Sequence, residues 1–366
     1  MLPSLEEIDW RGFLARPALP PPTPEALDAL HRQPILITGA GGSIGSALAL
    51  RLAALASPLL LLLESSESHL YALERDLTES GAACPTMPLL GNVSDRALLD
   101  HVFAEHAPRL AFHAAAFKHV PLMEAHPLAA ISNNIFATQV LADVAAAHGA
   151  RLLLLSTDKA VAPASVMGAT KRVAERIVLA HGGTVLRLAN VLATRDSVAE
   201  IFARQIAQGG PLTVTGPRAR RYFLTLDEAV NLLLTAAAIP PPTLLAPILP
   251  ASYLISDLAR FMARELAPNH EIPIVFTGPR SGDKESERLW SDDESTQPLC
   301  DGPIVSIQSD ILPKGRFDSE LHFLRAALEA RDLDTALDRL CALVPDYTPS
   351  PAVLVQMRPS LARGLR

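Results

Sequence analysis

Residues 35–45 read ILITGAGGSIG, a short aliphatic run followed by a glycine-rich turn and the beginning of an apolar helical pattern. The G-x-x-G-x-x-G spacing lets the backbone approach a pyrophosphate closely and directs the N–H groups of a helix amino terminus towards it. The same spacing occurs in simple tight turns, but here a predicted strand precedes it and a predicted helix follows. The segment therefore predicts a dinucleotide-binding unit. Its expected cofactor contacts are Gly39, Gly42, Ser43, Ile44 and Gly45.

The next aliphatic run, 59–64, ends in an acidic residue, Glu64. A carboxylate at this position accepts hydrogen bonds from the adenosine ribose and repels a 2′-phosphate, so it favours NAD over NADP. Ser65, which is itself an expected cofactor contact, and Ser66 weaken that preference, and both cofactors stay open. Further cofactor contacts are expected at the ends of the third and fourth strands and on the following helix, at Asn92, Val93, Ala114, Ala115 and Asn134.

Short aliphatic runs alternate with longer helical patterns between residues 34 and 216. Continuous apolar runs are typical of parallel strands buried on both faces, and their alternation with helices indicates right-handed crossovers. The predicted fold class is therefore α/β, with a doubly wound parallel sheet. The predicted strands are 34–38, 59–64, 88–92, 110–115, 151–157, 184–190 and 211–216, and the predicted helices include 43–55 and 127–148.

The pattern changes after residue 225 and predicts a smaller carboxyl-terminal α/β lobe. Its expected elements are helices at 227–238 and 255–266, a strand at 272–277 and a helical tail at 318–343. The predicted division is an amino-terminal arm (1–33), a dinucleotide-binding domain with the catalytic residues (34–225), a substrate-binding lobe with the helical tail (226–350) and a terminal tail (351–366), while 186–225 also contribute to the substrate pocket.

The chain has 366 residues, 49% of them hydrophobic, and a formal net charge of −7. This acidic balance argues against nucleic acid as a partner, because phosphate backbones are bound by basic surfaces. The most apolar stretch, 52–63, is shorter than the roughly 20 residues of a membrane-spanning helix. The three cysteines have no metal-ligand spacing. We expect a soluble, cytoplasmic protein without a metal site or a membrane segment.

A second informative stretch, STDKAVAPASVMGATK, occupies residues 156–171. The aliphatic run before it predicts a buried strand that delivers Thr157, Asp158 and Lys159 to its carboxyl end. Lys171 follows on a predicted helix. A hydroxyl, a carboxylate and two amines at the end of a parallel strand indicate proton-transfer chemistry. The alternatives are a structural ion pair at the strand end and a solvent-facing position for the second lysine.

Six motifs together span most of the chain, namely TGAGGSIG (38–45), HAAAFKHVPLMEAHP (113–127), STDKAVAPASVMGATKR (156–172), LRLANVLATRDSV (186–198), GPLTVTGPRARRYFLT (210–225) and TGPRSGDK (277–284). In this order they resemble the CapD-like nucleotide-sugar 4,6-dehydratases, which are extended short-chain dehydrogenase/reductases of bacterial polysaccharide biosynthesis. The resemblance implies a Rossmann-like fold, a tightly bound and recycled NAD or NADP, and a UDP-hexosamine substrate of the UDP-N-acetylglucosamine type.

The resemblance also implies a reaction with three stages. A hydride leaves sugar C4, the C5 proton and the C6 hydroxyl are then eliminated, and the hydride returns to C6 to give a 4-keto-6-deoxy sugar. Asp158 would protonate the departing hydroxyl and Lys159 would take the C5 proton. Thr157 would hold the substrate near O4, and Lys171 would hold the nicotinamide ribose.

Met167 stands where many related enzymes have a tyrosine that accepts the O4 proton. A thioether has no exchangeable proton and cannot take over that step. Two explanations are open: the site has lost activity, or water, alone or with Asp158, moves the O4 proton, as in family members that also carry methionine here. Because Asp158, Lys159 and Lys171 are all present, we expect activity.

The substrate contacts implied by the resemblance are Lys118, His119, Asn190, Arg195, Ser197, Arg221 and Arg280. Two segments depart from the family pattern. A GSRGS-like loop is replaced by residues 193–197, which lack both glycines and place Asp196 near the expected diphosphate. In TGPRSGDK, Ser281 replaces a proline and Asp283 replaces a longer acid. These departures bear on substrate binding rather than on cofactor binding.

Two other functions stay open. One is a nucleotide-sugar 4-epimerase or reductase on the same fold, which the Asp158–Lys159 pair disfavours because those reactions need no elimination across C5 and C6. The other is a non-catalytic dinucleotide-binding member of a polysaccharide assembly complex, which Met167 and the altered loop support. By analogy with the superfamily, we also expect a homo-oligomer.

Overall fold

The computed structural model describes residues 5, 7–28, 30–31, 33–55, 57–82, 84–299, 302–309 and 313–361, with side chains described to residue 357. The strands are β1 (Ile35–Thr38), β2 (Leu60–Glu64), β3 (Thr86–Leu90), β4 (Leu110–His113), β5 (Arg151–Thr157), β6 (Thr184–Leu188), β7 (Asn190–Val191), β8 (Leu212–Val214), β9 (Arg220–Arg221), β10 (Phe223–Leu224), β11 (Thr243–Pro247), β12 (Tyr253–Leu254), β13 (Ile274–Phe276), β14 (Ser295–Pro298) and β15 (Ile304–Gln308). 

The α-helices surround the strands and alternate with them through the first half of the chain. They are α1 (Trp10–Leu14), α2 (Pro24–Asp28), α3 (Ser43–Ala54), α4 (Glu67–Glu79), α5 (Arg96–His106), α6 (Val120–Ala125), α7 (Pro127–Ala130), α8 (Thr138–Ala147), α9 (Val166–Ala180), α10 (Val198–Ala207), α11 (Leu226–Ala238), α12 (Ile255–Leu266), α13 (Lys314–Glu329), α14 (Leu333–Leu343) and α15 (Pro351–Leu361). Among these described helices, none combines the length and the apolar character that crossing a bilayer requires.

Nine of the described strands form one sheet, in the order β14-β15-β11-β6-β5-β4-β1-β2-β3. The seven strands from β11 to β3 are parallel, and β15 and β14 extend the sheet in the antiparallel sense. Every residue of β1, β2 and β4 is buried, because helices cover both faces of the parallel part. The predicted doubly wound α/β fold is confirmed.

Three predicted strands differ from the observed ones. The strand predicted at 184–190 divides into β6 and β7, and β7 pairs with β10 outside the main sheet. The third strand is β3, at 86–90 rather than 88–92, because the chain turns at Gly91 towards α5 and its cap Asp95. The predicted strand at 211–216 shortens to β8 and lies outside the main sheet, where it pairs with β13. Its residues alternate between buried and exposed, which is typical of a strand with one wet face.

The predicted helix at 127–148 contains a π-helical turn. The chain runs from α7 through a π-helix at Ile131–Ala137 into α8. π-Helical turns inside α-helices are rare and often occur at functional sites. The predicted helical tail at 318–343 is two helices, α13 and α14, that pack together.

The boundary predicted at residue 225 passes through the main sheet, since β11, β14 and β15 follow that residue. A second hydrophobic core nevertheless lies apart from the sheet, between α10, β8, α12 and the amino-terminal arm. The arm contributes Trp10 and Leu14 to this core. It is also held by Arg16, which forms a buried ion pair with Glu228 at 2.6 Å. This second core is therefore formed by segments on both sides of residue 225, 192–223 and 255–266, together with the arm.

Candidate active site

The sheet order reverses between β1 and β4, which are neighbours although β2 and β3 lie on the far side of β1. Ligands of open α/β sheets bind beyond the carboxyl ends of the strands at such a reversal. The loops after β1 and β4 border this crevice, and the end of β5 lies next to it. The predicted cofactor and catalytic segments follow these three strands.

The glycine turn after β1 depends on close backbone contacts. Gly39 has a φ of 68°, and a Cβ there would lie 2.7 Å from the Ala115 nitrogen. A Cβ on Gly45 would lie 2.1 Å from the Gly39 carbonyl oxygen. A Cβ on Gly42 would have one described atom within 4 Å apart from its chain neighbours, the same Gly39 carbonyl oxygen at 3.2 Å. The open backbone beside Ser43, the first residue of α3, fits a pyrophosphate group.

Glu64 is fixed beside this turn by backbone donors. Its Oε2 accepts a hydrogen bond from the Gly41 N–H at 3.0 Å, and its Oε1 accepts from the N–H groups of Ser65 and Ser66 at 2.9 and 3.0 Å. The carboxylate is buried at the end of β2, where the sequence predicts the adenosine ribose. Ile44 is half-buried in the first turn of α3.

The other predicted contacts at strand ends lie after the carboxyl ends of β3 and β4. Asn92 follows β3, and its Oδ1 accepts two hydrogen bonds from Ser94, from the N–H and the hydroxyl, both at 2.9 Å. Val93 is buried. The Ala114 N–H, after β4, donates to the Thr38 carbonyl at 3.0 Å, which brings the backbone after β4 against the glycine turn.

Asn134 holds the loop after β4. Its amide accepts from the Phe117 N–H at 2.8 Å and from Asn133 at 3.1 Å, and it donates to the Phe117 carbonyl and to the Thr170 hydroxyl, both at 3.1 Å. These four bonds use the full capacity of a side-chain amide. Asn134 thus ties the π-helical turn to the loop and to α9, and the direct cofactor contact expected for it stays a prediction.

The start of α9 is defined by caps and by one glycine. Ser165 caps the helix by accepting from the Gly168 N–H at 3.1 Å, and buried Glu124 accepts from the Val166 N–H at 2.7 Å. A Cβ on Gly168 would lie 2.2 Å from the Lys159 carbonyl oxygen. The helix can approach the end of β5 so closely only because residue 168 lacks a side chain, a role that sequence reasoning missed.

Thr157, Asp158, Lys159 and Asn190 form one hydrogen-bonded cluster. Asp158 Oδ1 accepts from the Thr157 hydroxyl and from Lys159 Nζ, each at 3.0 Å, and Lys159 Nζ also donates to Asn190 Oδ1 at 3.1 Å. The Asp158 side chain is fully buried, whereas that of Lys159 is 22% exposed. Asp158 Oδ2 has no hydrogen-bond partner among the described residues. This atom is buried, and none of the described residues uses its hydrogen-bonding capacity.

Met167 and Lys171 lie one turn apart on α9, and both are buried. Lys171 Nζ donates to the Leu155 carbonyl at 2.7 Å. Burial lowers the pKa of Lys171 to about 8, although the negative charge of Glu175 opposes the shift. The ammonium form therefore still dominates at neutral pH. Lys171 is not the solvent-facing lysine of the alternative interpretation.

His113, at the end of β4, connects α8 to the end of β1, directly before the glycine turn. Its Nδ1 lies 2.7 Å from the Thr38 hydroxyl and its Nε2 lies 2.9 Å from the Thr138 hydroxyl. Burial, together with the charge of Lys171, lowers the pKa of His113 to about 3, so the ring is neutral. Sequence reasoning did not select this residue; a histidine closing a buried strand was its only signal.

The loop at 193–197 contacts the glycine turn and the start of α3. The Arg195 N–H donates to the Ser43 hydroxyl at 3.0 Å, and the Arg195 guanidinium donates to the Gly41 carbonyl. Lys118 Nζ in turn donates to the Arg195 carbonyl at 2.6 Å. Two residues that the resemblance assigned to the substrate thus meet at the glycine turn.

The same loop keeps a glycine-like backbone without its glycines. Ala193 and Asp196 have φ values of 58° and 57°, in the left-handed region that favours glycine. The Asp196 carboxylate lies 3.6 Å from His119 Nε2. Ser197 caps α10 by accepting from the Glu200 N–H at 3.4 Å, so its hydroxyl has a structural use.

The two remaining arginines differ in their surroundings. Arg221 is buried, and its guanidinium donates to three backbone carbonyl oxygens at 2.6 to 3.2 Å, those of Arg220, Lys284 and Glu285. It therefore holds the 284–285 backbone in place. Arg280 is exposed and pairs with Asp283 at 2.8 Å. The predicted diphosphate contact of both arginines stays a prediction.

A family model described as polysaccharide biosynthesis protein matches residues 35–308. The chain is also 37% identical over 276 residues to the capsular polysaccharide biosynthesis protein CapD of Staphylococcus aureus, covering 72% of this chain and 46% of CapD. The chain belongs to this CapD-like polysaccharide biosynthesis family. The resemblance read from the six motifs is confirmed.

Two further relatives are similar to this chain over most of its length. The probable polysaccharide biosynthesis protein EpsC of Bacillus subtilis is 35% identical over 300 residues, covering 79% of this chain and 50% of EpsC. The chain thus spans about half the length of EpsC and CapD. A UDP-glucose 4-epimerase of Rickettsia rickettsii is 30% identical over 334 residues, covering 86% of this chain and 90% of the epimerase.

Solved structures confirm the Rossmann-like fold of this CapD-like protein. Pen from Bacillus thuringiensis superimposes with a TM-score of 0.71 and 25% identity, covering 77% of this chain and 89% of Pen. DesIV of Streptomyces venezuelae, a dTDP-glucose 4,6-dehydratase solved with NAD bound, gives a TM-score of 0.60 and 18% identity, covering 70% and 88% of the two chains. At that identity the second likeness concerns the fold alone.

Proposed function

We propose that this protein is a nucleotide-sugar 4,6-dehydratase that uses NAD or NADP, with NAD favoured, and removes water from a UDP-hexosamine of the UDP-N-acetylglucosamine type. The observation that carries the proposal is the buried Asp158, whose Oδ1 contacts Thr157 and Lys159 while its Oδ2 has no partner among the described residues. An acid with one committed and one uncommitted oxygen, beside an amine, suits an elimination.

The cofactor site is part of the proposal. The open backbone at Gly42 and Ser43 would receive the pyrophosphate, and the fixed carboxylate of Glu64 would receive the ribose hydroxyls. A nicotinamide dinucleotide bound there would supply hydride acceptance at sugar C4 and hydride donation at C6. Glu64 also supports the preference for NAD, because a second buried negative charge beside it would be repelled.

The protein's own residues divide the proton transfers. Asp158 donates a proton to the departing C6 hydroxyl, and Lys159 takes the proton from C5. The two groups are neighbours, since Lys159 Nζ lies 3.0 Å from Asp158 Oδ1. Thr157 positions the sugar near O4. Met167 cannot exchange a proton, so the O4 proton leaves through water or Asp158. Lys171 holds the nicotinamide ribose with its ammonium group.

The test is the mass of the product. With UDP-N-acetylglucosamine and added NAD, we expect a UDP-sugar that has lost one water. Asp158→Asn should lower the rate by about 10²-fold or more, which is typical for loss of a general acid, while the dissociation constant for NAD stays unchanged. Asp257→Asn, an exposed residue of α12, is the control. Unchanged turnover in Asp158→Asn would reject the assigned role.

A nucleotide-sugar 4-epimerase is the second candidate, because the Rickettsia relative named for that activity matches along 86% of this chain. Its product would have unchanged mass and an inverted C4. Reaction in deuterated water separates the two candidates further, since only the dehydratase removes the C5 proton and exchanges it with solvent. A protein that binds NAD but converts no UDP-hexose or dTDP-hexose would instead be a non-catalytic member of the family.

A further inference from the structure

The five residues 193–197 form a strap across the mouth of the crevice. They follow β7 and reach back over the point where the sheet order reverses between β1 and β4. On one side the strap is bonded to the first residue of α3, after β1. On the other side it is bonded to Lys118, after β4. A dinucleotide that lies along the crevice would have this strap above its middle.

The strap is fastened by both backbone and side chains. The Arg195 N–H and carbonyl are bonded to Ser43 and Lys118 at 3.0 and 2.6 Å, and the Asp196 N–H donates to the Glu200 carboxylate. The Asp196 carboxylate lies 3.6 Å from His119. These contacts join three loops that are distant in the sequence, so the strap has to release them to open.

The Arg195 guanidinium is placed beside the glycine turn. It donates to the Gly41 carbonyl, a neutral acceptor that lies next to the open backbone of Gly42. A diphosphate at that backbone would be a stronger partner, because hydrogen bonds between guanidinium and phosphate are charge-assisted and can be bidentate. The strap thus places a cation beside the glycine turn.

We infer that Arg195 binds the diphosphate of the dinucleotide cofactor, not the diphosphate of the sugar nucleotide, and that the strap retains the cofactor in the crevice. This inference rests on the proposed function, in which a hydride taken at C4 is returned at C6. A cofactor that dissociated between the two transfers would leave the sugar oxidised. Retention by a strap that closes over the diphosphate meets this requirement.

The experiment measures binding without turnover. Dissociation constants for NAD and for UDP are determined by titration calorimetry for the wild type, Arg195→Ala, Arg195→Lys and the control Arg260→Ala, which removes an exposed arginine of α12. We expect Arg195→Ala to weaken NAD binding at least tenfold, or about 1.4 kcal/mol, with UDP binding changed less than twofold. Arg195→Lys should be intermediate, because it keeps the charge but loses the fork geometry.

Two further measurements sharpen the outcome. Adenosine, which lacks the diphosphate, should bind the wild type and Arg195→Ala equally. NADH should dissociate faster from Arg195→Ala and from Lys118→Ala, as followed by stopped-flow fluorescence. Thermal unfolding of each variant checks that the fold is retained.

Each contrary result is distinct. Weaker UDP binding with unchanged NAD binding would indicate that Arg195 binds the sugar nucleotide, as the resemblance implied. This result would overturn the inference. Unchanged binding of both ligands would also overturn it, leaving the strap a structural loop. If the wild type bound neither NAD nor NADP, the proposed function itself would fail, and the inference would fall with it.

Discussion

At the scale of single residues, Lys171 carries a charge in an almost fully buried position. Its Nζ donates to the Leu155 carbonyl, and Glu175 is the neighbouring charge that favours the ammonium form. Burial still lowers the pKa of Lys171 to about 8, from an ordinary value of 10.5. A lysine with a lowered pKa beside the crevice is typical of a functional position rather than of a stabilising one.

The lowered pKa makes a prediction about stability. Between pH 8 and about 10.5 the unfolded chain binds more protons at residue 171 than the folded chain does, so the folded state gains stability as the pH rises through this window. Lys171→Met has no such gain. We expect the free energy of unfolding of the wild type, relative to the variant, to increase between pH 7 and pH 9.5 in urea titrations.

A matched control separates this effect from general alkaline sensitivity. Lys314→Met removes an exposed lysine of α13 that pairs with Asp318, and it controls for the loss of one lysine from the chain. A constant difference between the wild type and Lys171→Met would contradict the lowered pKa.

Ala193 shows how a family glycine can be replaced without a change of backbone. Its φ of 58° places the backbone of Ala193 in the left-handed region. This conformation costs about 1–2 kcal/mol for a residue with a side chain. Ala193→Gly removes this strain but adds disorder to the unfolded chain. We expect the variant to be more stable by about 0.5–1 kcal/mol, measured by urea unfolding.

The control for this substitution has the opposite sign. Ala203 lies inside α10, and Ala203→Gly should destabilise the protein by about 1 kcal/mol, as glycine does in a helix interior. If both substitutions destabilised the protein equally, the left-handed conformation of residue 193 would be rejected.

At the scale of elements, a buried ion network joins β6, α9 and the segment before β14. Arg187 on β6 is fully buried and contacts both Glu175 and Glu294 at 2.7 to 3.0 Å. Arg172 contacts the same two carboxylates, and Glu175 also accepts from Ser156 at 2.6 Å. The network fixes α9 relative to the end of β5 at Ser156, one residue before Thr157.

Removal of the central cation should be costly. Arg187→Met leaves two buried carboxylates with one arginine, and we expect a loss of about 3–5 kcal/mol in the free energy of unfolding, as for other broken buried ion pairs. Arg288→Met, which breaks the exposed pair with Asp292, is the control and should change stability by no more than about 0.5 kcal/mol. Chemical denaturation of both variants at pH 7 makes the comparison, and equal effects would contradict it.

The pH dependence of the Arg187 variant gives a second readout. Burial opposes the charged form of Glu294, but hydrogen bonds and charge from Arg187 and Arg172 lower its pKa to about 2. The stability that this lowered pKa contributes is fully present above pH 4.5, the ordinary pKa of a glutamate, and is lost as the pH falls towards 2. The difference between the wild type and Arg187→Met should therefore shrink on acidification.

At the scale of the whole molecule, the two cores set the sides of the site. The glycine turn, the cluster of Thr157, Asp158 and Lys159, and α9 belong to the parallel sheet and its helices. The strap and Arg221 belong to the chain that leads into the second core. The amino-terminal arm completes the second core, since Phe13 contacts the rings of Phe223, Tyr253 and Phe261.

The parallel sheet, the glycine turn and the position of Thr157, Asp158 and Lys159 after a buried strand were all predictable from the amino-acid sequence. Each depends on local features: continuous apolar runs, glycines at a fixed spacing, and polar residues directly after a buried strand. These features specify an element and its end without knowledge of the partner. Strand 212–214 was misplaced because its short alternating pattern does not reveal which edge it will join.

The hydrogen-bond partners of the selected side chains, by contrast, depend on the folded structure and could not be predicted from the sequence pattern. Asn134 and Arg221 were selected as ligand contacts, but their hydrogen bonds hold backbone from segments 17 to 64 residues away. Arg195 was assigned to the substrate, yet it is bonded to Ser43, 152 residues earlier. A motif fixes the chemistry that a side chain offers. Its partner is fixed by long-range packing, which brings distant loops together at one edge of the sheet.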